Sequence, residues 1–224
     1  MQVMKFGGTS VANAENMSKV VDIVSKAVER DRTILVSSAI SGCTDTLIKI
    51  GIRASERDES YKELIDELQR KHHEIINTLL PLEKHEESRE VCDSLFDSLR
   101  GIAQGVCLLG ELSPASLDAI QSFGELWSTK ILATKLASIG IATKWVDSRQ
   151  IVRTVSKNGK NIVDNQKTYY RINEVVENDP VTQLFVLPGF IASDKQGRST
   201  TLGRGGSDYT AALYAVGCKA RILE

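Results

Sequence analysis

No apolar run in the sequence is long enough to cross a bilayer, and the opening residues, MQVMKFGGTS, carry neither a hydrophobic signal region nor a twin-arginine pattern. A cytoplasmic chain with no membrane partner is therefore expected. Charge of one sign is equally scarce. Basic residues number 28 and acidic residues 29, so the net charge of −1 gives no footing for nucleic acid or an acidic surface. Any anion must be met by a local site. The four cysteines (Cys43, Cys92, Cys107, Cys218) are scattered without a CxxC pair, so reduced thiols are expected and no zinc-ligand spacing exists. Histidines number only three, and none falls in a glycine-rich segment. His72 and His73 open HHEII, which lacks the second histidine of a zinc-protease helix; both lie in a charged stretch and are expected at the surface. A Walker loop is also missing, because the Gly159-Lys160 pair has Thr154 where the first glycine belongs. Repeats and low-complexity linkers are absent too.

What the chain does have is length for one substantial core, or at most two small ones, and a βαβ opening. QVMKF is a short β-prone run broken by Gly7 and Gly8. Met17, Val20, Val21, Val24 and Val28 then recur at helical spacing behind Asn13, a plausible N-cap. TILVSSA (33–39) follows as a strand with an unbroken apolar centre, the kind buried in a parallel sheet. An α/β fold is predicted. From about 44 to 139 the pattern is helical, with one stripe through Tyr61, Leu64, Ile65, Leu68, Ile75, Ile76 and Leu79 and another through Val91, Leu95, Phe96, Leu99, Ile102 and Val106. Ser113-Pro114 opens a further helix, Gly124 is expected to interrupt it, and Gly140 to stop it. IATKWVDS resumes strand character, Asn158-Gly159 predicts a hairpin turn, and YYRINEVVEN reads as a short helix. LFVLPGFIASD (184–194) reads as one buried strand, and a last helix is expected over about 208–217. ARILE then starts a strand that nothing follows, so the chain reads as a piece of something longer.

Three polar, glycine-containing segments could each follow a strand: KFGGTS (5–10), SSAISGCTD (37–45) and TLGRGGSDY (201–209). One alone would most simply be a turn. In open α/β sheets, however, ligands bind outside the carboxyl ends of the strands, where three such loops can meet. Gly7 and Gly8 allow a ligand close to the backbone, and Lys5 adds a positive charge beside them. Ser207 and Asp208 stand at a helix start, where free N–H groups favour an anion, although an aspartate there is also a good N-cap. Arg204 offers a fork suited to a carboxylate.

Taken together, KFGGTSV, SFGELWST and TTLGRGGSDYTAALYA resemble the aspartate kinases of the amino acid kinase superfamily, in order and over essentially the whole chain. VANAENM and a helical insertion at about 55–110 are closer to the aspartokinase half of the bifunctional aspartokinase–homoserine dehydrogenases than to the short monofunctional enzymes. The resemblance implies a mostly parallel central sheet with helices on both faces, residues 1–224 being the N-terminal part of a catalytic domain. It implies ATP-dependent phosphorylation of the β-carboxylate of L-aspartate to 4-phospho-L-aspartate, the first step towards lysine, threonine and methionine, with Mg²⁺ arriving on the ATP. By motif, Lys5, Phe6, Gly7 and Gly8 would line the phosphate side. Ser38, Thr44, Glu125, Arg204, Gly205, Gly206 and Ser207 would hold aspartate, and Asp208 would organise catalysis beside Lys5. Much of the adenine pocket and a second phosphate-binding lysine would follow ARILE, so weak ATP binding and poor turnover are expected of this chain. A homo-oligomer is expected of the full-length protein. Another amino acid kinase, such as a glutamate or acetylglutamate kinase, or a binding or dimerisation module, stand as alternatives.

Overall fold

The computed structural model describes residues 1–157 and 160–224. Five strands form the central sheet: β1 (Gln2–Phe6), β2 (Thr33–Ser37), β3 (Thr143–Trp145), β6 (Leu184–Pro188) and β9 (Ile222–Leu223). Their order is β3-β6-β2-β1-β9, and every pairing is parallel. The pleat explains why β2 and β6, buried at every position, have apolar centres, since successive side chains alternate between two covered faces. Val3, Ile34, Val36, Phe185 and Leu187 face one layer, where α7 (Asn165–Val176) and α8 (Gly206–Gly217) bring Ile172, Val176, Leu213 and Tyr214. Met4, Leu35, Leu184 and Val186 face the other.

That second layer holds α1 (Ala14–Val28), α2 (Cys43–Ser55), α3 (Tyr61–Leu79), α4 (His85–Leu109), α5 (Pro114–Gln121) and α6 (Phe123–Ser138). The Asn13 side chain caps α1 by accepting the Asn16 N–H at 2.9 Å, as the sequence predicts. Ser113 caps α5 in the same way, with Pro114 following. The predicted insertion is the α3–α4 pair, and it is no appendage. Phe96 of α4 stacks on Trp127 of α6 at 4.0 Å, so the pair shares its core with the sheet layer.

Two antiparallel ribbons complete the fold, β4 (Thr154–Lys157) with β5 (Lys160–Val163), and β7 (Ile191–Ser193) with β8 (Ser199–Thr201). The predicted turn at Asn158-Gly159 lies outside the described residues. No helix among the described residues is long and apolar enough to cross a membrane.

Several sequence expectations are corrected. His72 is not a surface residue: it is fully buried, with its Nδ1–H donating to the Leu68 carbonyl at 2.7 Å and its ring against Phe96 and Trp127. Burial pushes its pKa down to about 4, so the ring is neutral. Gly124 does not break the helix. The break falls at Ser122, and Gly124 sits in the first turn of α6, where a Cβ would lie 2.7 Å from the Ala39 Cβ. The run 184–194 is two strands, because Gly189 and Phe190 turn the chain out of the sheet with Phe190 at φ +64°. Helix α7 begins at Asn165, ahead of the expected start, because Asp164 caps it by accepting the Lys167 N–H.

Candidate functional site

A cleft of about 440 Å³ opens at the carboxyl ends of β1, β2 and β6. The three loops singled out in the sequence meet there. Lys5, Gly7, Gly8, Ser38, Thr44, Glu125, Gly205, Gly206, Ser207 and Asp208 all line it. Two of the sequence-predicted residues do not. Phe6 packs its ring against the core of the second layer, and Arg204 is exposed on the rim loop. Thr9, Ser41, Asp45, Phe190 and Gly203 line the cleft without having been singled out in the sequence. All but Phe190 lie within the three loops singled out in the sequence. Phe190 has no signal there, because 184–194 reads as one buried strand.

The loops are laced to one another by main-chain bonds. Ser38 N–H donates to the Phe6 carbonyl, Ser41 N–H to the Gly8 carbonyl and Gly189 N–H to the Ser37 carbonyl. Gly8 is required by this closeness, since a Cβ there would stand 2.9 Å from the Ala39 carbonyl oxygen. The third loop is fixed from its own side: the Ser38 hydroxyl donates to Ser207 Oγ at 2.9 Å, and Ser128 Oγ donates to the Ser38 carbonyl at 2.7 Å. Phe190 keeps its left-handed backbone because its N–H donates to Thr210 Oγ1 at 3.0 Å and its carbonyl accepts the Leu202 N–H. Strain of this kind persists only where neighbouring structure holds it.

The electrostatics are laid out for an anion facing a cation. Lys5 Nζ stands 2.7 Å from Asp208 Oδ1, joining the first loop to the third. Helices α2 and α8 both start at the cleft behind left-handed glycines, Gly42 and Gly205, so two sets of free first-turn N–H groups converge on it. Glu125, 3% exposed at the start of α6, also lines the cleft. One of its oxygens accepts the Ala39 N–H at 3.2 Å, and the other, Oε2, has no partner among the described residues. Burial pushes its pKa up to about 8, against the pull of the Ala39 N–H and its own backbone N–H. A buried carboxyl with one idle oxygen beside a cleft is a seat for a cationic hydrogen-bond donor.

The described residues contain no group of three His, Cys, Asp or Glu side chains able to hold a metal ion. The donor set suits a Mg²⁺ carried on nucleotide phosphates, an ion that takes one or two carboxylates and leaves the rest to phosphate and water. Asp208 and Asp45 are the carboxylates besides Glu125 that line the cleft.

The sequence matches the amino acid kinase family over residues 1–224. It is 33% identical to the lysine-sensitive aspartokinase 3 of Escherichia coli, over 95% of this chain and 45% of that protein. It is 30% identical to the chloroplastic bifunctional aspartokinase/homoserine dehydrogenase 1 of Zea mays, over 98% of this chain and 24% of that protein. The crystal structure of E. coli aspartokinase III in complex with aspartate and ADP superposes with a TM-score of 0.88, at 31% identity over all of this chain and 48% of that one. The chain thus spans half or less of the relatives it matches. On the match across its whole length and the parallel sheet that supports the cleft, the chain belongs to the amino acid kinase family.

Proposed function

We propose that the chain forms the aspartate-binding part, and half of the phosphate-binding part, of an aspartate kinase catalytic domain. The reaction is transfer of the γ-phosphoryl group of ATP to the β-carboxylate of L-aspartate, giving 4-phospho-L-aspartate for synthesis of the aspartate-derived amino acids lysine, threonine and methionine. One observation carries the reading: buried Glu125, with one oxygen lacking a partner among the described residues, lines the same cleft as the Lys5–Asp208 pair. An amino acid with a second carboxylate fits that layout. Its ammonium pairs with Glu125, the hydroxyls of Ser38, Thr44 and Ser207 meet its carboxylates, and Arg204 reaches inward from the rim for the α-carboxylate.

The attacking carboxylate has a solution pKa of about 4, so it is ionised at neutral pH and needs no general base. What the protein must supply is relief of charge, because one anion approaches another. Lys5 and the N-terminal N–H groups of α2 and α8 supply it, and Asp208 holds the Lys5 ammonium in place. Magnesium, bound with the nucleotide, neutralises phosphate charge. Glu125 does different work. Its carboxyl holds a proton below pH about 8, and pairing with an ammonium drives that proton off. Four unpaired cysteines suit a reducing, cytoplasmic setting, and a homo-oligomer is proposed for the full-length protein.

Calorimetry with this chain tests the reading. At pH 7, aspartate binding is expected to release close to one proton, read from buffers of different ionisation enthalpy, and Glu125→Gln to weaken binding at least about tenfold while abolishing the release. Binding of aspartate with no proton release, or equal preference for glutamate, would sink it.

A further inference from the structure

A second cavity, of about 170 Å³, lies away from the cleft between α4, α6 and β3. Its walls are Val91 and Leu95 of α4, Trp127 and Ile131 of α6, and Trp145 of β3, so it is largely apolar. Within those walls sits one cation, Lys130, half-buried, its Nζ 3.7 Å from the centre of the Trp145 ring. No carboxylate among the described residues stands within 4.0 Å of that ammonium, and burial pulls its pKa down. The neighbouring acid, Asp147, is already taken by Arg149 at 2.6 Å. Glu87, on the rim, is likewise held by Lys84 at 2.8 Å. A second group is unmatched. The indole N–H of Trp127 is buried with no acceptor among the described residues.

We infer that this cavity is a binding site for a small apolar monocarboxylate, its carboxylate on Lys130 and its ring or branched body between the two tryptophans. Size sets the class of body: an apolar cavity of about 150 Å³ accommodates a benzene ring, and this one measures about 170 Å³. Charge sets the head group. A half-buried ammonium whose close partner among the described residues is an aromatic face gains more from a carboxylate than from water, because the surrounding dielectric is low. An anion is thus favoured over a neutral or cationic ligand of the same shape. The site is separate from the proposed substrate cleft but shares its scaffold, since Glu125 and Trp127 are two residues apart on α6 and serve different cavities.

The chain's two tryptophans, Trp127 and Trp145, both line this cavity, so intrinsic fluorescence reports on it without any activity measurement. Phenylacetate is titrated against wild-type chain, with phenylacetamide as neutral isostere and phenethylamine as cation. A saturable change with phenylacetate is expected, about tenfold or more weaker with phenylacetamide and absent with phenethylamine. Lys130→Met, which keeps the stem on Trp145, should lose that preference, and Lys130→Arg should retain it. Val91→Trp, on the exposed rim, should fill the cavity and abolish the response while the far-ultraviolet dichroism stays native. No saturable response in natively folded wild-type chain overturns the site. Equal affinities for phenylacetate and phenylacetamide, or for wild type and Lys130→Met, overturn the role given to the ammonium.

Discussion

Lys5 and Asp208 are 203 positions apart in the chain yet 2.7 Å apart in space, and the proposed chemistry rests on that contact. In a catalytically competent form of the protein, Lys5→Ala or Asp208→Asn is expected to lower kcat by about 100-fold or more, the scale of one lost preorganised group. Steady-state kinetics showing near-normal turnover in either variant would remove the pair from the mechanism. Glu125 makes a second prediction, about stability. Its folded carboxyl keeps a proton up to about pH 8, whereas the unfolded chain releases it near the ordinary 4.5. Between those values the native state binds the extra proton, so the group's stabilising contribution is complete below about 4.5 and lost as pH rises towards 8. Unliganded wild-type chain should therefore lose stability relative to Glu125→Gln across that window, by up to about 1.4 kcal/mol per pH unit, and run parallel to it above. Urea denaturation at pH 5, 6.5 and 8 measures this. A constant gap would mean that the carboxyl titrates normally. At this scale, although Arg204 lies outside the lining, much of the cleft lining was legible, because glycine beside lysine, and glycine before serine and aspartate, carry their chemistry in their types. Phe190 was not, since its place depends on a main chain bent by contacts from Thr210 and Leu202.

Among the elements, the α3–α4 pair carries the clearest lesson. Tyr61, Ile65, Leu68, His72, Ile75 and Leu79 are all buried, at alternating spacings of four and three, and His72 fills a slot where an aliphatic residue would be expected. Reading residue type ahead of spacing put that histidine on the surface. The periodicity alone would have put it inside. Phe96, stacked on Trp127, joins the pair to the sheet layer, so Phe96→Ala is expected to cost about 3–5 kcal/mol in chemical denaturation. A loss below about 1 kcal/mol would show the insertion to be energetically detached. At the other end of that layer, Asn13→Ala removes a single capping bond and should cost about 1 kcal/mol. Boundaries such as the Gly189–Phe190 break escaped the sequence because both flanking segments are apolar and β-branched or aromatic enough to read as one run.

At the scale of the whole molecule, strand order was not legible. Local pattern shows that β3 exists, but its place beside β6 is fixed only when α6 packs against both strands. Among the described residues of this chain the opposite edge is β9, whose Ile222 and Leu223 are 40% and 44% exposed. A parallel edge strand with open backbone groups and apolar side chains templates association. This chain should self-associate as its concentration rises, and Leu223→Lys should reduce that tendency; sedimentation velocity over a concentration series is the measurement. Equal behaviour of the two chains would clear β9 of the role.

The same edge reaches further than solubility. The main-chain N–H of Lys5 donates to the carbonyl of Glu224 at 2.8 Å, while its ammonium grips Asp208. One residue is thus clasped from two directions, by Glu224, just past β9, through its backbone and by the head of α8 through its charge. Whatever shifts β9 against β1 would move the ammonium proposed to meet phosphate, so the register of one strand and the proposed site are coupled through a single amide.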